Sequence, residues 1–382
     1  MYIWQQSDWP HFRYDSKTLG PLLKQVRLLQ GKLTGHAEHL NHQDALETQM
    51  NTLVQEAIQT SAIEGETLNV SSVRSSAARR LGLDNSGVEP GTEETDQLVA
   101  MLADAVANVD TPLTQQTLFD WQVSLFPTRP LFMPKEAIIG ALCEDEPGHP
   151  MVVASRRGSR EIIHFEAPPS DLLPYEVDAF LHWFNHESQD IDGLLRAGLA
   201  HLWLVTLHPF SDGNGRVTRA VADRALAQDE HNSVRFYSMS AAIMRHRSSY
   251  YDTLESTQKG SLEVTAWLQW FLKVLAEAVQ RNIVQFQRTL DKARFWQVFQ
   301  DAGLNDRQRK VINRLFDAAP DEFEHGINAG KYKSIASTSK ATATRDLAAL
   351  VELGCLVQRP GGGRSTRYDL NLDLNLDLTS IR

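Results

Sequence analysis

Apolar residues recur at three- and four-residue spacing through most of the chain, and that period predicts helices rather than strands. From Lys17 to Glu38 the stripe is Leu19, Leu22, Leu23, Val26, Leu29 and Leu33. From Asp44 to Ile63 it is Leu46, Met50, Leu53, Val54, Ala57 and Ile58, closed by Glu64-Gly65, where glycine suits a helix C-terminus. The polar, Gly-containing stretch 71–95 predicts loop with a short helix. Helices then follow over Thr95–Val109 and Thr114–Leu125. The run MVVASRRGSREIIHFEAPP, residues 151–169, breaks this texture. Two β-like segments flank Arg157-Gly158-Ser159 before a Pro-Pro stop, which predicts a hairpin. Helices resume at Leu172–Glu187, Gly193–Leu207, Val217–Ala227, Ser240–Glu255 and Val264–Gln287. Gly193–Leu207 is apolar on nearly every side, so it belongs in the middle of a bundle.

The pattern changes over residues 289–304. Helices at Asp306–Ala318, Lys331–Ser337 and Lys340–Leu353, then two strands around Pro360-Gly361-Gly362-Gly363, predict a winged helix-turn-helix. The expected fold is mainly α. It has an N-terminal extension at 1–43, a helical core with a hairpin at 44–288, and a winged-helix domain at 300–382.

Composition narrows the function classes. The two cysteines, Cys143 and Cys355, stand in no CxxC, which leaves neither a disulfide scaffold nor a zinc or redox motif. The longest strongly apolar stretch, Gly198–Leu207, is half what a bilayer needs, and MYIWQQSDWP has no signal core. A cytoplasmic chain with no membrane role is expected. Net charge is −10, which argues against coating nucleic acid along the whole length. Between Asp306 and Arg367, however, eleven Lys and Arg face seven acids, a net +4 that leaves −14 elsewhere. Lys340, Thr342, Thr344 and Arg345 on one helix, with Arg359, Arg364 and Arg367 on the wing, suit contact with DNA. Dimerisation or target docking would use the same module equally well.

The chemistry concentrates in His208-Pro-Phe-Ser-Asp212-Gly213-Asn214-Gly215-Arg216-Val-Thr-Arg219. Unpaired amides at a helix start, with glycines that let a ligand approach the backbone, form an anion site. Arg216 and Arg219, three apart, project from one helix face as two guanidinium forks. Asp212 is a hard oxygen ligand suited to Mg²⁺ between two phosphates. His208 accepts protons near neutral pH. Singly, these residues describe a helix-capping loop, a core histidine and two surface arginines. Together they are a kit for transferring a phosphate-linked group from a nucleotide. No GxxxxGK[ST] or GxGxxG competes.

This run resembles the HxFx[D/E]GNGRxxR motif of the Fic (Fido) family, and residues 44–288 have the texture of its helical core. The resemblance implies protein AMPylation: AMP passes from ATP to a Ser, Thr or Tyr hydroxyl of a target protein or of the chain itself. It implies His208 as the base and Asp212 as the Mg²⁺ ligand. Gly213, Asn214 and Gly215 become the anion hole, Arg216 the β-phosphate contact and Arg219 the γ-phosphate contact. Phosphorylating relatives of the Doc type carry Lys where this chain has Gly215, which favours AMP transfer. Thr60-Ser-Ala-Ile-Glu64-Gly65 resembles the family's inhibitory motif, whose Glu pairs with the second arginine, here Arg219. On this reading the inhibitory helix is 44–65 and the hairpin 151–169 is the flap that clamps a target segment. Tyr251 is assigned to the adenine side of the ATP site. WQQSDWPHF resembles an N-terminal extension of some relatives and carries no assigned chemistry. Two alternatives use the same residues: removal of AMP from a modified target, and a DNA-binding transcriptional regulator with a self-modifying core. A homodimer is compatible with each.

Overall fold

The computed structural model describes all residues except 39, 84–89, 131–132, 135, 146–149, 158–159, 232–234, 318–322, 324, 361–365 and 374–382; for 155–157, 160–161 and 317 it describes the backbone alone. Two compact units divide the chain, Met1–Ile283 and Val284–Arg382.

In the first unit, α1 (Ser16–Ala37) and α2 (His42–Ile63) begin at Asp15 and Asn41, whose side chains accept from Lys17 N and Asp44 N. Each satisfies a backbone donor that the helix itself leaves unpaired. Helix α3 (Val70–Arg80) occupies part of the stretch expected to be mostly loop. It is the short helix expected there, and its buried face mixes Ser72, Ser75 and Ser76 with Val73, Ala77 and Ala78. Ser72 and Ser76 each lie 2.9 Å from the Thr95 hydroxyl of the next helix. The chain continues through α4 (Glu93–Ala107), α5 (Gln115–Ser124), the antiparallel hairpin β1 (Val152–Arg157) and β2 (Arg160–Glu166), and α6 (Leu173–His182). The expected turn residues Gly158 and Ser159 lie outside the described residues. After His182 the helix widens into a π turn, Trp183–Glu187.

Helix α7 (Gly193–Leu207) is the inner helix its composition predicts, with every residue buried except Gly193 and Val205. Against it packs α8 (Asn214–Glu230). The segment read as one helix, Ser240–Glu255, breaks at His246 into α9 (Met239–Arg245) and α10 (Arg247–Gln258). Helix α11 (Thr265–Val298) runs past its expected end at Gln287. Phe295, fully buried in the core of the second unit, extends the apolar pattern beyond that point. The first residues also have a definite place. Trp4 Nε1 donates to the Glu166 carbonyl at 2.8 Å, and the Tyr2 ring meets Phe165 edge-on, so the N-terminus braces the end of the hairpin.

The second unit carries α12 (Asp306–Asp317), α13 (Ala329–Ala336), α14 (Lys340–Glu352), β3 (Leu356–Gln358) and β4 (Tyr368–Leu370). The strands pair antiparallel, Leu356 with Leu370 and Gln358 with Tyr368. Three helices and a small sheet thus follow in the order expected of a winged helix. Val311, Ile312, Tyr332, Leu347 and Leu350 build its core. Of the basic residues suggested for DNA, Arg359 pairs with Asp369 at 2.5 Å. Arg367 donates to the His325 carbonyl at 3.3 Å. Lys340 and Arg345 are exposed, while Gly361–Gly363 and Arg364 lie outside the described residues. Among the described residues no helix is long and apolar enough to cross a membrane.

Candidate active site

Helix α7 ends on His208, whose φ of 49° places a non-glycine residue in the left-handed region. The loop that follows is held by its own side chains. Asn214 Oδ1 accepts from Phe210 N at 2.9 Å, and Asn214 Nδ2 donates to the Phe210 carbonyl at 2.6 Å. From outside, Cys143 N donates to the Pro209 carbonyl at 2.9 Å. Gly213 starts α8 with φ +87°, and a Cβ there would meet Leu125 Cδ1 at 2.8 Å, so both conformation and space require glycine. The first amides of α8 have no partner within the helix and carry the positive end of its dipole.

Over that helix start lies a carboxylate. A Cβ on Gly215 would sit 2.1 Å from Glu64 Oε1, so the absence of a side chain makes room for Glu64. Glu64 caps the C-terminus of α2, 155 residues away in sequence from Arg219. Arg219 Nη2 donates to Glu64 Oε1 at 2.7 Å and to the Thr60 carbonyl at 2.9 Å, while Arg219 Nε donates to Thr60 Oγ1 at 2.8 Å. One turn of α2 therefore holds the whole side-on edge of this guanidinium. Burial alone would lower the Arg219 pKa; Glu64, and behind it Tyr250, more than offset that and hold it above the ordinary arginine value.

Arg216 is equally engaged. Its Nη1 donates to Glu66 Oε2 at 2.6 Å, and its guanidinium carbon lies 5.3 Å from the centre of the Phe126 ring. Neither arginine is on the surface, which removes the picture of two surface arginines on a capping loop. Asp212 is exposed; its Oδ1 accepts from Gly213 N at 2.6 Å and its carbonyl from Gln122 Nε2 at 3.3 Å. Among the described residues no three His, Cys, Asp or Glu side chains cluster as a metal cage. A single exposed carboxylate beside an anion cradle fits Mg²⁺ that phosphate oxygens and water otherwise hold. His208 is half-buried, and burial pushes its pKa below the usual histidine value, against the pull of the Val205 carbonyl, Glu64 and Asp212. Its neutral, proton-accepting form is thereby favoured.

His208, Asp212, Gly213, Asn214, Gly215, Arg216, Arg219 and Glu64 are thus gathered at one helix start. Tyr251 lies beside the end of α2, where its hydroxyl donates to the Ile63 carbonyl at 3.1 Å and its ring faces Arg247 at 5.5 Å. Sequence reasoning passed over Glu66, Phe126 and Gln122. Glu66 had a signal: two carboxylates on one short segment match two arginines three apart.

The comparisons agree with this picture at the level of family. Residues 128–226 match the Fic/DOC family, and residues 2–83 match a domain of unknown function, DUF4172. A protein adenylyltransferase Fic from Culex quinquefasciatus is 22% identical over 294 residues, covering 72% of this chain and 53% of that protein. A probable protein adenylyltransferase from Aquifex aeolicus is 28% identical over 119 residues, 31% of this chain and 34% of that one. The chain spans about half the length of the insect relatives it matches. A Fic family protein from Desulfovibrio desulfuricans G20 of known crystal structure shares the fold with TM-score 0.50 and 20% identity, over 92% of this chain and 95% of that one. Residues 128–226 are thus similar to the Fic/DOC family, and the chain is similar at low identity to protein adenylyltransferases Fic. The carboxylates Glu64 and Glu66 lie in the segment matching the uncharacterised domain, and the arginines they grip lie in the Fic segment.

Proposed function

We propose that this protein transfers AMP from ATP to a Ser, Thr or Tyr hydroxyl of a target protein or of itself, and that Glu64 holds the resting site closed. The observation that carries this reading is the seat of the Glu64 carboxylate. It lies on the helix start and on the buried Arg219 fork, where a polyphosphate would otherwise bind.

In the open site, the amides of Gly213, Asn214 and Gly215 cradle the phosphates, with Arg216 on the β-phosphate and Arg219 on the γ-phosphate. Asp212 would hold Mg²⁺, which would supply positive charge beside the phosphates. His208, kept neutral by burial, takes the proton of the target hydroxyl. That oxygen bonds to the α-phosphorus as the bond from this phosphorus to the bridging oxygen breaks. Preorganised donors stabilise charge without reorganising during the step. The hairpin, with Ile162 and Ile163 exposed on β2, offers an edge for the target segment. Gly215 leaves room for Glu64 over the helix start, where a longer side chain would collide with it.

Intact-mass measurement after incubation with Mg²⁺ and ATP, UTP, CTP or GTP tests the reading. Glu64→Gly should gain one AMP from ATP, and Glu64→Gly with His208→Ala should gain nothing. No added mass on Glu64→Gly or on added candidate targets, with any nucleotide, would overturn it.

A further inference from the structure

Removing Glu64 frees only one of the two arginines. Arg216 keeps its own carboxylate partner: Glu66 Oε2 accepts from Arg216 Nη1 at 2.6 Å. The side chain of Arg216 is 5% exposed and that of Glu66 36%, so the cation is fixed in the site while its partner faces solvent. The backbone of Glu66 is pinned, because its N–H donates to the Ser61 carbonyl at 3.0 Å on the last turn of α2. Only its side chain has to swing for Arg216 to be released. Burial pushes the Glu66 carboxyl up, and Asp212, Glu94 and Glu64 add to this against the pull of Arg216. Glu66 is therefore held over Arg216 among like charges, an arrangement that an incoming anion can replace.

We propose that Glu66 is a second gatekeeper: it occupies the arginine that takes the β-phosphate, so it governs affinity for nucleoside diphosphates and triphosphates alike. Glu64, on the γ-phosphate arginine, governs triphosphates above all. This rests on the assignment of the two arginines given above. Admission of ATP then requires two carboxylates to leave, both on the segment that ends α2. A partner or a modification that shifts this segment releases both.

Calorimetric titration with Mg-ADP, which needs no turnover, separates the two gates. Wild type, Glu64→Gly, Glu66→Ala and the double variant are compared, with Glu66→Gln as the near-isosteric variant should Glu66→Ala melt early. Loss of the charge-assisted contact of a partly exposed carboxylate should tighten Mg-ADP by about 5- to 10-fold in Glu66→Ala over wild type, and in the double variant over Glu64→Gly. Glu66→Gln should give about half of that effect on a logarithmic scale. Glu64→Gly alone should tighten Mg-ADP by less than Glu66→Ala does. Equal Mg-ADP affinity with and without Glu66 in folded protein overturns the proposal, while added AMP mass on Glu64→Gly would still support the transfer reading. No nucleotide binding in any of these chains overturns both.

Discussion

One helix, α8, carries two kinds of buried ion pair. Near its middle, Asp223 pairs with Arg235, and their side chains are 6% and 5% exposed. At its start, Arg219 pairs with Glu64 and Arg216 with Glu66; here the arginines are 3% and 5% exposed but the carboxylates 31% and 36%. In the first pair both ions are sealed, and burial pushes the Asp223 carboxyl up to about 7 even with Arg235 beside it. In the other two the cation is fixed and the anion meets solvent, so another anion can take its place at little cost in desolvation. Exposure of the partner, more than distance between the charges, separates the sealed pair from the two proposed to yield to a substrate.

The largest expected effect is on the sealed pair. Asp223→Ala leaves Arg235 buried without its carboxylate and should cost about 3–5 kcal/mol, seen as a fall in melting temperature of roughly 10 °C. A loss under 1 kcal/mol would erase the distinction between the two kinds of pair. Next is the chemistry served by the open pairs. In the Glu64→Gly chain, His208→Ala should lower AMP transfer at least about 100-fold, measured with α-labelled ATP. Glu64→Gly itself should cost only about 1–2 kcal/mol, because Thr60 still holds Arg219 and water can reach the open edge. The same change should raise transfer by about tenfold or more. If it destabilises as much as Asp223→Ala, the Glu64 contact is structural. The smallest effect concerns pH. Since burial holds the His208 pKa below the ordinary value of about 6.5, protonation begins only below that pH. The acid limb of the rate in the Glu64→Gly chain should therefore be centred below 6.5; an acid limb centred above 6.5 contradicts the assignment.

Much of this site was legible in the sequence because its parts lie within one run. His208 to Arg219 is a helix end, a glycine turn and a helix start, and each step is local backbone chemistry. The inner position of α7 followed from its composition, and the hairpin from the break in period at residue 151. The short helix expected within 71–95 is α3, but its bounds were not legible, because Ser72 and Ser76 share its buried face with Val73, Ala77 and Ala78 and blur the hydrophobic stripe. The break at His246 was missed because apolar residues continue on both sides of it. Trp4 and Tyr2 had no readable role, since what they brace lies more than 160 residues away.

By itself, the sequence determined the helical architecture, the glycine-rich loop at a helix start, and the groups proposed to accept protons and hold phosphate. It also placed Glu64 at the end of a helix. Only the tertiary structure decided that Glu66 pairs with Arg216, that both arginines are buried, and that their carboxylates are not. Local order follows from backbone geometry and side-chain type a few residues apart. Solvent access to a charge depends on which distant surfaces close over it, and no spacing within α2 or α8 encodes that.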